Sequence, residues 1–378
     1  MPKDSTTSFM ECFNELEDPR MDRRKLYPLK EILLTVICAT ICGAESWRDF
    51  VLFGKEKLDY LRNFYAYQNG IPCKNTFARV FAALNPESFK KCFIHWMQAL
   101  QTALKEVIAI DGKSLRRSFD TASDQSPIHM VSAFATAARL VLGQEKTSEK
   151  SNEITAIPKL LKLLDIQGCI ISIDAMGAQK AIAEQIREQG GDYVLSLKGN
   201  QSTLHRDIQL FLDTEIEKTN SPYITDVSEA IGKEHGRIES RRCFVSDHID
   251  WLEQKPLWKD LKTVAVIEET RNIKGKISLE RRYFISSLPP EAQTIAHAVR
   301  SHWAVENSLH WVLDMTFRED ESRIRCRHAP ENMSMIRHIA LNMLRNAQKK
   351  FKDVSIKGLR KKAGWGNATL DLILMANF

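Results

Sequence analysis

No two cysteines of this chain are spaced C-x-x-C, although it holds eight cysteines in 378 residues. A zinc ribbon and a thioredoxin-type redox pair are therefore not indicated. Nor do the cysteines suggest the disulfide framework of a secreted domain, so a reducing, cytoplasmic setting is the expectation. The opening residues 1–13 lack a basic stretch followed by an apolar one, and no secretory signal is read there. Long apolar runs are also missing. The longest, Ile32–Ala44, is too short to cross a bilayer, contains Thr35 and Thr40, and reads as a buried helix. There is no internal repeat and no low-complexity tract.

What the chain does contain is enough apolar material, 43% of its residues, to bury at least one large core. Its length suggests two or three units. The formal net charge is +6, and its distribution is informative. Seven basic residues and one acid, Asp353, lie between Lys349 and Lys362. That local balance of +6 equals the excess of the whole chain. Such a run is either a solvated helix face or a footprint for a polyanion.

Residues 1–105 carry apolar residues at helical spacing over Leu29–Cys42, Trp47–Tyr65, Lys74–Ala83 and Ser88–Leu104. The turn at Asn69-Gly70 separates two of these helices, and Asn75 or Thr76 is placed to cap the next. A helical scaffold is the plainer reading, a DNA-binding helix-turn-helix the other. Cys38 and Cys42, and Cys92 close to His95, lack a paired ligand motif, and the cysteines read as ordinary core residues. From Val107 the texture changes. Val107–Ile110 is a short apolar strand that runs into Asp111, and Ile128–Ala137 and Leu140–Lys146 complete a three-stranded meander. A helix over Ile154–Leu164, a strand over Cys169–Ile173 ending in Asp174, a helix over Gln179–Gln189 and a strand over Tyr193–Leu197 follow. This is a mixed α/β layer. Residues 201–290 break the alternation with four strand-like stretches, Val227–Ile231, Arg241–Ser246, Thr263–Glu269 and Arg281–Ser286. A long helical pattern then runs from Glu291 to about Phe317.

Asp111 and Asp174 each close a run of apolar residues, where a strand end holds a carboxylate at the rim of a core. A charge there is expensive unless it is paired or bound to metal. On the long helix His302, Glu306, His310 and Asp314 recur every four residues and share a face, with Trp303, Leu309 and Leu313 turned to the core. The stripe could be a solvated face. Zinc held by His302 and His310 is the weaker alternative, because about 12 Å of helix separates them. Asp111, Asp174 and Glu306 are hard oxygen donors that suit two Mg²⁺ or Mn²⁺ ions, and two such ions serve in-line phosphodiester cleavage. Lys113, Arg116, Arg117 and Lys198 lie beside the strand ends, as a DNA substrate would need.

The stretches AIDGKSLRRS (109–118), KSNEITAIPKLL (150–161), ISIDAMGAQK (171–180), GDYVLSLKGNQ (191–201), HGRIESR (235–241) and RSHWAVENSLHWVLDMTFRED (300–320) resemble the insertion-sequence transposases of the DDE superfamily, most closely the H-repeat-associated proteins. The likeness covers nearly the whole chain. It implies an RNase H-like core over 106–200 and 291–345, split by a β-rich insertion at 201–290. A helical N-terminal domain at 1–105 precedes the core, and a basic tail at 346–378 follows it. It implies that Asp111, Asp174 and Glu306 are the catalytic, metal-binding triad, and that double-stranded DNA is the partner, bound by a homodimer assembled on the element ends. The matching stretches and the basic run nominate Lys113, Arg116, Arg117, Lys198, Asn200, His235, Arg237, Arg241, Arg300, His302, His310, Arg360, Lys361 and Lys362 for DNA contact. Related transposases often carry a Tyr-Arg-Glu-Lys signature around the last acid. Here His302 stands for the Arg, with Arg300 nearby, and Leu313 for the Lys. The implied activity is strand cleavage and joining. A non-catalytic DNA-binding relic and a plain metal-dependent nuclease are the alternatives.

Overall fold

The structure, a computed structural model, describes residues 9–100, 105–119, 126–147, 153–234, 237–273 and 276–376. The helical first part comprises α1 (Leu29–Ile41), α2 (Trp47–Glu56), α3 (Leu58–Leu61), α4 (Lys74–Ala83) and α5 (Pro86–Leu100). The span read as one helix over Trp47–Tyr65 breaks at Lys57, which ends α2 and precedes α3. Ser46 and Asp49 form a capping box at the start of α2. Neither Asn75 nor Thr76 caps α4, which begins a residue earlier, after Cys73.

The apolar run of β1 (Val107–Ser114) is buried from Val107 to Ile110, as in a strand covered on both faces. It pairs antiparallel with β2 (His129–Ala135), and β2 with β3 (Leu140–Lys146). After α6 (Glu153–Leu161), β4 (Ile170–Ile173) lies parallel to β1. After α7 (Lys180–Glu188), β5 (Asp192–Leu197) lies parallel to β4. The order β3-β2-β1-β4-β5, with only β4 and β5 parallel to β1, is the RNase H-like arrangement that the resemblance implies.

Residues 201–290, read as a β-rich insertion, also hold a helix that the strand-like stretches do not announce. They open with α8 (Ser202–Ile216), whose Leu204, Ile208 and Leu212 face the core. The strands β6 (Asp226–Glu234), β7 (Arg237–Ser246), β8 (Thr263–Ile273) and β9 (Lys276–Ser286) do not form a sheet of their own. Antiparallel pairing of β9 with β5 joins them to the core in one nine-stranded sheet, β3-β2-β1-β4-β5-β9-β8-β7-β6.

The helical pattern from Glu291 is interrupted. α9 (Ala292–His302) gives way to a π-helical turn at Glu306–His310, and then to α10 (Trp311–Phe317). Leu309 and Leu313 are buried as expected, but Trp303 is 49% exposed and lies under the Arg282 guanidinium. α11 (Ala329–Gln348) runs through the middle of the molecule and is buried at seventeen positions. Asn342 on α11 accepts from the Val141 N–H at 2.9 Å and donates to its carbonyl at 2.8 Å, standing in for a missing strand at the β3 edge. Asn332 donates to the carbonyls of Phe81 and Leu84 at the end of α4. The basic C-terminal segment folds as α12 (Ile356–Trp365) and α13 (Asn367–Met375). Leu359 and Leu370 dock it on the core, whereas Trp365 is 79% exposed. Among the described residues no helix is long and apolar enough to cross a membrane.

Candidate metal centre

Two strands and one irregular helix build the centre. The ladder between β1 and β4 ends at the pair Ile110–Ile173. Beyond it β4 stops and Asp174 turns out of the sheet. β1 continues, so Asp111 lies within the strand, paired with Ser132 of β2 but with no partner on the β4 side. Glu306 is carried to the same place at the start of the π-helical turn, a kind of irregularity that recurs at functional sites. Asp111, Asp174 and Glu306 line one cavity of about 470 Å³, together with Lys198, His205, His302 and Trp303.

Asp111 and Glu306 of this lining, together with His310, offer ligand atoms that lie within 4.8 Å of one another. Burial pushes the Asp111 carboxyl up to about 6, against the pull of His310. Glu306 is held below the usual carboxylate range by its contact with His310. His302 is half-buried, and desolvation lowers its basicity against the pull of Asp174. Asp174 directs Oδ1 at its own loop, accepting from the N–H groups of Met176 at 3.1 Å and Gly177 at 3.4 Å. Gly112 leaves room beside Asp111 for another pair: a Cβ there would stand 2.0 Å from the carboxylate of Glu153, which pairs with His129 at 2.8 Å. Hard oxygen donors in a partly desolvated pocket, one of them destabilised as a free anion, fit a divalent cation.

The nominated DNA contacts differ widely in their surroundings. Arg116, Arg117, Lys198, Arg300, Lys361 and Lys362 are exposed. Asn200 is anchored to the Ala175 carbonyl behind the Asp174 loop. His302 and His310 belong to the centre itself. Three others are turned away from solvent partners. Lys113 pairs with Asp314 at 2.6 Å, Asp320 at 3.1 Å and Glu319 at 3.2 Å. Arg241 pairs with Glu239 at 2.6 Å and Glu269 at 2.7 Å. Arg360 is 6% exposed, donates to the Thr40 carbonyl at 2.9 Å and to that of Thr316, and lies 4.2 Å over the Phe317 ring. Burial brings its pKa down to about 10. An inward guanidinium of this kind cannot reach a phosphate, so Arg360 leaves the set of DNA contacts. His235 lies outside the described residues, and of Arg237 only the backbone position on β7 is described.

Residue spacing put His310 on the face of Glu306, but not against Asp111. Spacing put Asp314 on that same face but disclosed neither Glu319 nor the lysine that both hold, which lies about two hundred positions upstream.

Residues 102–343 match the family model described as the transposase DDE domain, and residues 10–97 match the one described as DDE_Tnp_1-associated. The chain is 45% identical over 360 residues to the "H repeat-associated putative transposase YhhI" of Escherichia coli K12, covering 93% of each protein. It is 40% identical to the "Putative transposase YncI" of E. coli O157:H7, covering 98% of this chain and 95% of that one. A shorter relative, 42% identical over 71 residues, is named "Inactive transposase YbfQ". In three dimensions the chain is distantly similar to piggyBac transposase in a synaptic complex with hairpin DNA, at 11% identity and a TM-score of 0.43, over 99% of this chain and 77% of that one. The divalent-metal chemistry that a DDE domain implies has donors to match in the acid cavity, and the chain belongs to the DDE transposases, in the H-repeat-associated family.

Proposed function

We propose that this chain cuts DNA at the ends of its own insertion element and joins the released 3′ ends to target DNA. Asp111, Asp174 and Glu306 would hold two Mg²⁺ or Mn²⁺ ions. The observation that carries the reading is the convergence of these acids, from β1, the end of β4 and the π-helical turn, on one cavity. When bound, the ions would activate the attacking oxygen and stabilise the leaving one. The chain's own part is to place three carboxylates on rigid elements and to keep Asp111 partly desolvated. A water molecule attacks in the first step, and the 3′-hydroxyl of the element end in the second. Lys198, Arg116, Arg117 and Arg300 are the exposed cations suited to steer the phosphate backbone toward the cavity, and Lys361 and Lys362 to extend that hold. Residues 1–105 and 346–378 flank the RNase H-like core as DNA-holding units. Two copies assemble on paired element ends, in the cytoplasm.

Supplying Mg²⁺ or Mn²⁺ to the full chain with end DNA tests the reading. Cleavage should appear, Ca²⁺ should permit binding with little chemistry, and excess chelator should abolish cutting. Asp111→Asn, Asp174→Asn and Glu306→Gln should each bind end DNA and fail to cut it. Undiminished cutting in chelator, or in all three variants, contradicts the proposal.

A further inference from the structure

We infer that His310 is itself a ligand of the ion that Asp111 and Glu306 hold, so that this position is one nitrogen and two carboxylates rather than oxygen alone. The inference rests on the reading of the acid cavity as a metal centre. Nδ1 of His310 lies 3.6 Å from Oδ2 of Asp111 and 3.6 Å from Oε2 of Glu306. Both separations exceed the roughly 2.7–3.2 Å of a hydrogen bond. An imidazolium clamped between two carboxylates would close to about 2.7–2.9 Å. Atoms bonded at about 2.0–2.2 Å to a common ion stand roughly 3–3.6 Å from each other. The imidazole is therefore spaced as a co-ligand and not as a hydrogen-bond partner.

Burial argues the same way. His310 is 6% exposed, and its Nε2 has no hydrogen-bond partner among the described residues. With Nε2 unpartnered and Nδ1 set loosely at 3.6 Å from two carboxylates, ligation through Nδ1 would give the buried ring one strong partner. The π-helical turn supplies the geometry, because residues 306 and 310 open and close a single widened turn. Asp174 is held differently, with Oδ1 already engaged by two backbone N–H groups of its own loop. The donor set has a chemical consequence. Imidazole nitrogen suits first-row transition ions, whereas Mg²⁺ prefers oxygen throughout, so this position favours Mn²⁺ over Mg²⁺.

Electron spin-echo envelope modulation of the Mn²⁺-loaded full chain tests this without reference to activity. The wild-type protein should show the ¹⁴N modulation of a directly bound imidazole. The signal should persist in His302→Gln and vanish in His310→Gln, whose Mn²⁺ affinity should fall by at least about 10-fold. Bound Mn²⁺ with no nitrogen coupling in the wild-type protein, a spectrum that needs no variant, overturns the inference. So does coupling that survives His310→Gln. In either case the acid-held centre still stands if Asp111→Asn and Glu306→Gln abolish Mn²⁺ binding. If those two variants bind Mn²⁺ as the wild type does, the metal centre and the inference built on it both fail.

Discussion

His338 shows how little a residue's type says about its surroundings. It is completely enclosed on α11 near His310, Glu319 and Arg337, and burial lowers its pKa to about 4. The folded protein therefore takes up this proton later than the unfolded chain, whose histidine titrates near its ordinary value. Above that value the group is neutral in both states and contributes nothing. As pH falls from about 6.5 toward 4 the unfolded state gains a proton that the folded state refuses, and stability drops by about 1.4 kcal/mol per unit. Urea unfolding at pH 7 and pH 5 should show this loss, and His338→Gln should lose less across the same window. A variant with an equally steep loss would mean that another group sets the acid limit. Arg360 makes a related point. Its position in a basic run suggests a phosphate contact, yet it satisfies two backbone carbonyls between α1 and α10. Neighbouring lysines are charged and exposed in the same run. Only the packing phase of α12, set by Leu359 and Ala363, separates the inward residue from the outward ones.

Among the elements, strands and amphipathic helices were the legible part, because alternating or continuous apolar runs reveal their buried faces. β1 to β5 and α6 and α7 lie where periodicity places them. α11 is less legible: its buried positions include Glu331, Asn332, Arg337, His338 and Asn342, and polar residues do not announce burial. The π-helical turn was equally hidden, since an apolar pattern does not disclose a change from i→i+4 to i→i+5 bonding. The apolar runs leading into Asp111 and Asp174 and the four-residue repeat from His302 to Asp314 disclosed the candidate centre, but neither the continuation of β1 past Asp111 nor the turn that brings His310 against it. Nor could spacing show how the strand of Asp111 is fixed to the helix of Glu306. Lys113, two residues beyond Asp111, reaches Asp314 on α10 and Glu319 and Asp320 just after it. Glu319 is buried, which would raise its pKa, but Lys113 and Arg337 outweigh that and hold it ionised. Lys113→Met should leave this carboxylate under-compensated and cost about 3–5 kcal/mol in denaturant unfolding. A loss below 1 kcal/mol, on the order of an exposed ion pair, would show that the cluster does not tie the two elements together.

For the molecule as a whole, pairing of β9 with β5 makes core and extension one sheet, so strands that sequence alone sets apart as an insertion share the rigid frame of the acid cavity. Charge is distributed on the same scale. Lys361 and Lys362 remain outward on α12 while Arg360 does not, which divides the basic run into exposed cations and a structural one. Neutralising Lys361 and Lys362 together should flatten the slope of log affinity against log salt by up to about two units, with preference for element ends retained. Arg360→Gln should leave the slope alone and cost about 1.5–3 kcal/mol of stability, as loss of charged hydrogen bonds does. A flattened slope in Arg360→Gln, or an unchanged one in the double lysine variant, would reverse that assignment. The central claim is that the acid cavity both cuts and joins DNA. Incubating the full chain and its Glu306→Gln variant with labelled element ends, target DNA and Mn²⁺, and resolving the joined strands, tests it most directly. The wild-type protein should yield joined product and the variant none, although both bind the ends. Joined product from Glu306→Gln at the wild-type level, or nicked ends that the wild-type protein never joins, would contradict it.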